Sequence, residues 1–379
     1  MKKLENFNWK SGIFLITYQI ILFLTLPWYL YHYTPSIGLI LTMILLLCCG
    51  GLSITAGYHR LFSHKCYKTS PIIECIALFF GSTTFQGSAL RWSFDHRKHH
   101  AFVDTDKDPY SIKKGFWYAH FLWLLEKQEA INPKVVPDLM KNKRIMFQNK
   151  YDVTCMVGSN IILYFIVAWI SGDYMGAFFI TTWTRLFLQH HSTWFINSLA
   201  HTWGDKPFCQ EHSAVNNFII SFLTFGEGYH NYHHTFANDY RNGVRWYQFD
   251  PTKWIIWGLS KVGLAWGLRR VDKHTIQKKI VLERKDLLLE QLTELWYVKK
   301  EELEQKIQEL SDKLLSETSK FNELTEKYHS LRRSNEAKDV IVQLRHEIKS
   351  LKANLREDWR SWGELSATIL KLKPIPNFA

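Results

Sequence analysis

Residues 12–31 and 37–57 are two apolar runs without a single charged side chain. Each has about the 20 residues a helix needs to cross a bilayer. Inside hydrocarbon every backbone N–H and C=O must find its partner within the protein, so such runs fold as helices. Two further runs, 153–170 and 175–196, repeat the pattern. The fold class this predicts is an all-α integral membrane protein with four transmembrane helices. Arg185 interrupts the fourth run. A charge at that depth is expected to be buried and paired within the bundle, or to sit at a water-accessible site.

Basic residues orient the runs. Lys2, Lys3 and Lys10 precede the first, and Arg60, Lys65 and Lys68 follow the second, while the connection Tyr31–Ser36 holds no Lys or Arg. The turn Ser171–Tyr174 also lacks them. By the positive-inside rule the chain is multi-pass, in two hairpins, with both termini cytoplasmic. The apolar stretch 72–90 contains Glu74 and Gln86 and leads into Arg91, so it reads as an amphipathic or re-entrant cytoplasmic helix. Residues 216–224 and 252–267 read the same way. The first run has span length and ends without a small-residue cleavage site, so it is not a cleavable signal peptide.

Mean hydropathy is only −0.18, because a polar segment follows the apolar one. Residues 1–270 hold 26 Lys and Arg against 16 Asp and Glu; residues 271–379 hold 21 against 19. Two parts follow: a membrane domain, 1–270, and a charged helical extension, 271–379. The basic excess flanks apolar spans, so it reads as orientation signal and anionic-lipid contact, with no nucleic acid as partner. The 16 Trp, 17 Tyr and 25 Phe suit a protein with two bilayer interfaces. Six cysteines form no CxxC pair, which gives neither a disulfide framework nor a cysteine-ligated metal site. In the extension Leu303, Ile307, Leu310, Leu314, Phe321, Leu324, Tyr328 and Leu331 recur at four–three spacing, with Glu317 in one seam position. That is a coiled-coil pattern and a route to a homo-oligomer. A second register, Ile341, Leu344, Ile348, Leu351 and Leu355, follows a phase break near Asn335.

The 17 histidines are unevenly spread. They cluster as His59 and His64; His96, His99 and His100; and His230, His233 and His234. In the last two clusters the spacing i, i+3, i+4 puts three imidazoles on one helix face, able to converge on metal. His59 and His64 diverge by about 140° on an ideal helix, enough to reach two different metals. All three clusters fall on the cytoplasmic side of the predicted topology. Imidazole suits iron, zinc or copper, so the ligand type leaves the metal open.

The boxes containing these residues, HRLFSH (from His59), DHRKHH (from Asp95) and GEGYHNYHH (from Gly226), resemble those of the membrane fatty-acid desaturase family, in particular the Δ9 acyl-CoA desaturases. The segment His191–His201 is similar to that group's fourth-helix motif, and the likeness runs over residues 12–265. It implies a cytoplasmic helical cap holding a di-iron site. The implied ligands are His59, His64, His96, His99, His100, His201, His230, His233 and His234, with Asn197 reaching one iron through water. Eight of these stand out by spacing; His201 enters through the resemblance. The other histidines (32, 120, 190, 191, 212, 274, 329 and 346) read as structural or surface, His191 being the one close to the site in sequence.

The resemblance further implies a reaction: a cis double bond, at Δ9, introduced into a saturated fatty acyl-CoA with dioxygen and two electrons. An unactivated methylene C–H lies beyond ordinary acid–base groups, so two iron ions would carry that step. Gln86, Trp92, Thr193 and Trp194 would line the acyl channel, and Asp95 would lie near the thioester. Two departures concern the acyl carrier: Phe94 and Gly87 stand where the animal enzymes have Arg and Asn. Lys113, Lys114 and Lys127 are candidates to meet CoA phosphates instead. An acyl-lipid desaturase and a membrane di-iron hydroxylase are the neighbouring readings; a coiled-coil membrane scaffold is the non-catalytic one. The sequence holds no His-Pro-Gly-Gly haem motif, so the electron donor is expected to be a separate protein, cytochrome b5-like or ferredoxin-like.

Overall fold

The computed structural model describes residues 6–295, 298–334 and 338–372. Lys2, Lys3 and the phase break near Asn335 lie outside them. Helix α1 (Trp9–His32) starts at Asn8, whose side chain accepts from the Ser11 N–H. Helix α2 (Ile37–Leu52) starts at Ser36, whose hydroxyl accepts from the Leu39 N–H. Each capping side chain satisfies one of the N–H groups a helix start leaves unpaired. α2 runs on without a break into a π-helix, Ser53–Ser63. Helix α3 (Pro71–Ser82) opens on a proline at its first turn, and α4 (Ala89–Phe102) is capped by Ser88. Helix α5 (Asp152–Ser171) ends at Gly172, and a tight turn leads into Tyr174–Gly176, a second π-helix at Ala177–Thr184, and α6 (Arg185–Asn197).

Among the described residues three helices are long and apolar enough to cross a membrane: Trp9–His32, Ile37–Ser63 and Asp152–Ser171. The fourth expected span is not among them. Its segment is helical from Tyr174 to Asn197, but Arg185, Gln189, His190 and His191 dilute its apolarity. The stretch 72–90 is not one helix: α3 ends at Ser82 after a length of about 18 Å, short of a bilayer's core, and α4 starts only at Ala89. Large apolar side chains point outward along the spans: Leu24, Leu45 and Ile170 are each more than 60% exposed. In the π-helix the opposite holds, and all of Ser53–Ser63 is buried. It lies so close to α3 that a Cβ on Gly57 would come within 2.8 Å of the Ala77 side chain.

Among the shorter helices of this part are α7 (Phe218–Leu223), α8 (His230–Thr235) and α9 (Pro251–Lys261). A two-stranded antiparallel ribbon pairs Lys68–Thr69 with Ala265–Trp266. The chain divides into two compact units, residues 1–206 with 211–270, and residues 207–210 with 271–379. The second contains α10 (Lys273–Thr293), α11 (Lys300–Ser334) and α12 (Lys338–Lys371), packed on one another. Here the heptad seam expected to offer a route to a homo-oligomer packs within the chain. Leu303, Ile307, Leu310, Leu314, Phe321 and Leu324 bury against Val281, Leu288, Leu351, Leu355 and Trp362 of the same chain. The seam is satisfied internally because a chain that doubles back supplies its own partner stripe at no cost in association entropy.

Candidate metal centre and substrate cavity

Four local structures carry the clustered histidines. The π-helix holds His59 and ends at His64; α4 holds His96, His99 and His100; a 3₁₀ turn, Leu199–His201, holds His201; and α8 holds His230, His233 and His234. Their ring nitrogens fall into two groups, each within 4.8 Å: His59, His64, His96, His100 and His233 in one, and His99, His201, His230 and His234 in the other. The expectation drawn from ideal helices is therefore corrected twice. In a π-helix the bonds run from i to i+5, so residues five apart stack. The His64 N–H bonds the His59 carbonyl at 3.1 Å, and both rings face the same group. Each i, i+3, i+4 triad is divided, because i and i+4 lie about 40° apart on a helix while i+3 lies on the other flank, about 60° away.

The distances suit a pair of cations. In the larger group His59 Nε2 lies 3.0 Å from His233 Nε2, His233 Nε2 2.9 Å from His100 Nε2, and His64 Nε2 2.7 Å from His96 Nε2. In the smaller, His234 Nε2 lies 3.1 Å from His230 Nε2 and 3.3 Å from His99 Nε2. Imidazole nitrogens about 2.1 Å from one ion and roughly at right angles stand about 3 Å apart. His201 Nε2 is buried with no hydrogen-bond partner, an orphaned lone pair of the kind a metal would satisfy. Burial, reinforced by the neighbouring rings, pushes His96, His100, His201, His230, His233 and His234 well below the usual histidine range. They are neutral at physiological pH, the form that ligates.

Behind this cage, side chains hold the far nitrogens. His99 Nδ1 lies 2.9 Å from Asp108 Oδ1, His59 Nδ1 3.0 Å from Glu227 Oε2, and His201 Nδ1 2.7 Å from the Ser213 hydroxyl, which donates to Asp104 at 2.6 Å. Such partners fix which nitrogen points inward. Burial alone would raise the Glu227 carboxyl, but His59 and Arg60 beside it hold it down at about 2. Arg60, fully buried, ties Glu227 to Asp250 and to the Tyr240 carbonyl. None of Glu227, Asp108, Ser213 and Asp104 was flagged by sequence. Glu227 lies inside the third box, while Asp108 is one of three acidic residues in a loop, with no spacing to single it out.

A cavity of about 990 Å³ runs from the cage and is lined by Gln86, Gly87, Trp92, Asp95, Thr193, Trp194 and Asn197, together with His59, His96, His99 and His230. Gln86 Nε2 donates to Thr193 Oγ1 at 2.9 Å, and Trp92 Nε1 donates to Gln86 Oε1 at 3.3 Å. Asp95 forms a bidentate pair with Arg91, at 2.8 and 2.6 Å, and burial pushes its carboxyl up to about 6 against the pull of that arginine. Phe94 points into the core, with the Arg91 guanidinium 5.2 Å from its ring. Lys113, Lys114 and Lys127 are exposed and do not line the cavity; Lys10 and Arg91 do.

A family model for fatty acid desaturases matches residues 34–267. The chain belongs to the fatty acid desaturase family. It is 45% identical over 243 residues to a probable acyl-CoA desaturase of Schizosaccharomyces pombe, a match covering 63% of the chain and 50% of the relative. It is 40% identical over 238 residues to acyl-CoA desaturase 1 of Saccharomyces cerevisiae, covering 61% and 46%. It thus spans about half the length of these two. To an sn-2 palmitoyl-lipid 9-desaturase of Nostoc it is 32% identical over 264 residues, covering 68% and 89%.

Proposed function

We propose that this desaturase introduces a cis double bond at Δ9 into a saturated fatty acyl-CoA, with dioxygen as co-substrate and two electrons from a separate donor of the cytochrome b5 or ferredoxin kind. The observation that carries the reading is the division of nine imidazoles, seven of them buried, into a group of five and a group of four at the end of a chain-sized cavity. Two irons fit this donor set: imidazole nitrogens with no cysteine among them, each group with the spacing an octahedral ion accepts. His59, His64, His96, His100 and His233 would hold one iron; His99, His201, His230 and His234 the other, with Asn197 reaching it through water. When bound, the irons would supply the reduction of dioxygen that breaking an unactivated methylene C–H requires.

The protein's own part is positioning and exclusion of water. Trp92 and Trp194 offer flat apolar walls, and the Gln86–Thr193 bond ties two further lining residues together. Asp95, held by Arg91, would face the thioester end. Four spans with both termini and the metal cage on the cytoplasmic side agree with the basic flanks of the first hairpin and with the continuous helix Tyr174–Asn197.

A second reading, an acyl-lipid desaturase, is favoured by particular residues. Phe94 turns away from the cavity, Gly87 offers no side chain, and Lys127 lies off the wall. One experiment separates the two. Purified enzyme with one electron-donor system is given stearoyl-CoA, or the same acyl group esterified in phospholipid. Product from the CoA ester is expected; product from phospholipid alone transfers the substrate assignment and leaves the metal centre as it is. No unsaturated product from either, by iron-loaded enzyme, removes the desaturase reading.

A further inference from the structure

Residues 83–88, the link between α3 and α4, form the cavity wall from Phe85 to Ser88. Phe85 (φ 52°) and Gly87 (φ 83°) are both left-handed, a conformation that a phenylalanine holds only when its surroundings impose it. The surroundings are side chains of α5 and α6. Both terminal nitrogens of Arg185 donate to the Thr83 carbonyl at 3.3 Å, and Asn160 Nδ2 donates to it at 3.2 Å. His190 bonds the next carbonyl, that of Thr84, at 2.9 Å. A carbonyl only accepts, so Nε2 carries the proton and Nδ1 of the neutral ring accepts from the Tyr18 hydroxyl at 2.7 Å.

The arginine is unusual. It is buried, and its remaining bonds go to Asn160 Oδ1 (2.6 Å) and the Thr181 carbonyl (2.9 Å). Every partner recorded among the described residues is an uncharged oxygen. A buried cation without a carboxylate is costly, and such residues in membrane segments are as a rule functional. What makes it tolerable is its place at the C-terminal end of α3, where helix carbonyls point outward with partial negative charge. The same helix α6 that carries Arg185 and His190 carries Thr193, which holds Gln86 from the cavity side.

We propose that Arg185 and His190 are positioning residues for regiochemistry: by seating the Thr83 and Thr84 carbonyls they fix Phe85, Gln86 and Gly87, and so which carbon pair of the acyl chain faces the imidazole cage. This rests on the desaturase reading. Successive methylenes are chemically identical, so only the wall can choose among them, and a displacement of about 1 Å is enough to change which geometry reacts.

The test uses the full chain in a desaturase-deficient host, with saturated acyl groups of several lengths supplied and double-bond positions determined by mass spectrometry. Tyr18→Phe removes one hydroxyl and His190→Leu removes the Thr84 bond; Arg185→Gln removes the charge and Arg185→Lys keeps it. The expected result is an iron content equal to wild type with a several-fold rise in product unsaturated at neighbouring positions. Arg185→Lys should lie between wild type and Arg185→Gln. If Arg185→Gln fails to fold, Tyr18→Phe and His190→Leu decide. Product still at a single position in those iron-loaded variants, whether at full or reduced rate, overturns the proposal by making the contacts merely structural. Absence of unsaturated product from wild type counts against the desaturase reading instead.

Discussion

His233 and His99 point into different halves of the imidazole cage, so their replacement should separate the two metals. His233→Ala is expected to lose the iron of the five-histidine group first, and His99→Ala that of the four-histidine group; both should abolish unsaturated product. Iron analysis of anaerobically purified protein reads the loss, about two per chain in wild type, and full activity in either variant would remove the di-iron assignment. Asp108→Asn keeps a hydrogen-bonding side chain against His99 but removes its charge. Partners of this kind typically contribute 10–100-fold to metal affinity, and a competition titration with a chelator should show a loss of that order. Eight of the nine imidazoles were legible because they lie in local boxes whose spacing is visible along the chain; His201 has no such spacing. Their division was not, since the count of five from His59 to His64 changes meaning once the backbone is π rather than α. Glu227 and Asp108 were invisible for another reason: an orienting carboxylate needs only to arrive at the right place, from any distance in sequence.

Arg97, between the ligands of α4, binds the end of the π-helix. Its guanidinium donates to the Phe62 and Ser63 carbonyls at 2.6 and 2.9 Å, to the Val135 carbonyl at 2.9 Å and to both oxygens of Asp138. Arg97→Gln should cost roughly 1.5–3 kcal/mol, the range for bonds to a charged group, seen as a lower Tm; an unchanged Tm would mean that the contacts contribute nothing. In the extension, Glu317 sits in the seam between α11 and α12. Burial, and then a hydrogen bond shared with Asp358, raise its carboxyl above the ordinary 4.5. A raised acid favours folding in its protonated form, so this contribution is complete below about pH 4.5 and is lost as pH climbs through the raised value. Glu317→Gln should hold the neutral form throughout. Hydrogen exchange across 311–324 in the full chain should then slow relative to wild type at pH 8 and match it near pH 4.5. The heptad spacing of this extension was legible; that α10 and α12 of the same chain would fill the seam was not, because an apolar stripe does not name its partner. The helix over the expected fourth span was legible by length; the contacts that Arg185 and His190 make from it inside the protein were not.

At the scale of the molecule the nine imidazoles belong to the first unit. Truncation after Arg270 should leave both irons in place, by metal analysis of the truncated protein. Residues 207–210, between His201 and Ser213, cluster with the extension, and the Gln210 N–H bonds Glu283 at 3.0 Å. The π-helical run at 53–63 also governs how this chain can vary over time. Substitution there trades one side chain for another, but deletion of a single residue rotates everything beyond it by roughly a quarter turn and breaks the five-residue stacking of His59 on His64. His64 would leave the cage at one stroke, and with it the loop that follows. Length at 53–63 is therefore inherited as a fixed count, whereas length in the surface loops is free to drift, and gaps in any descendant that keeps its metals should fall everywhere but here.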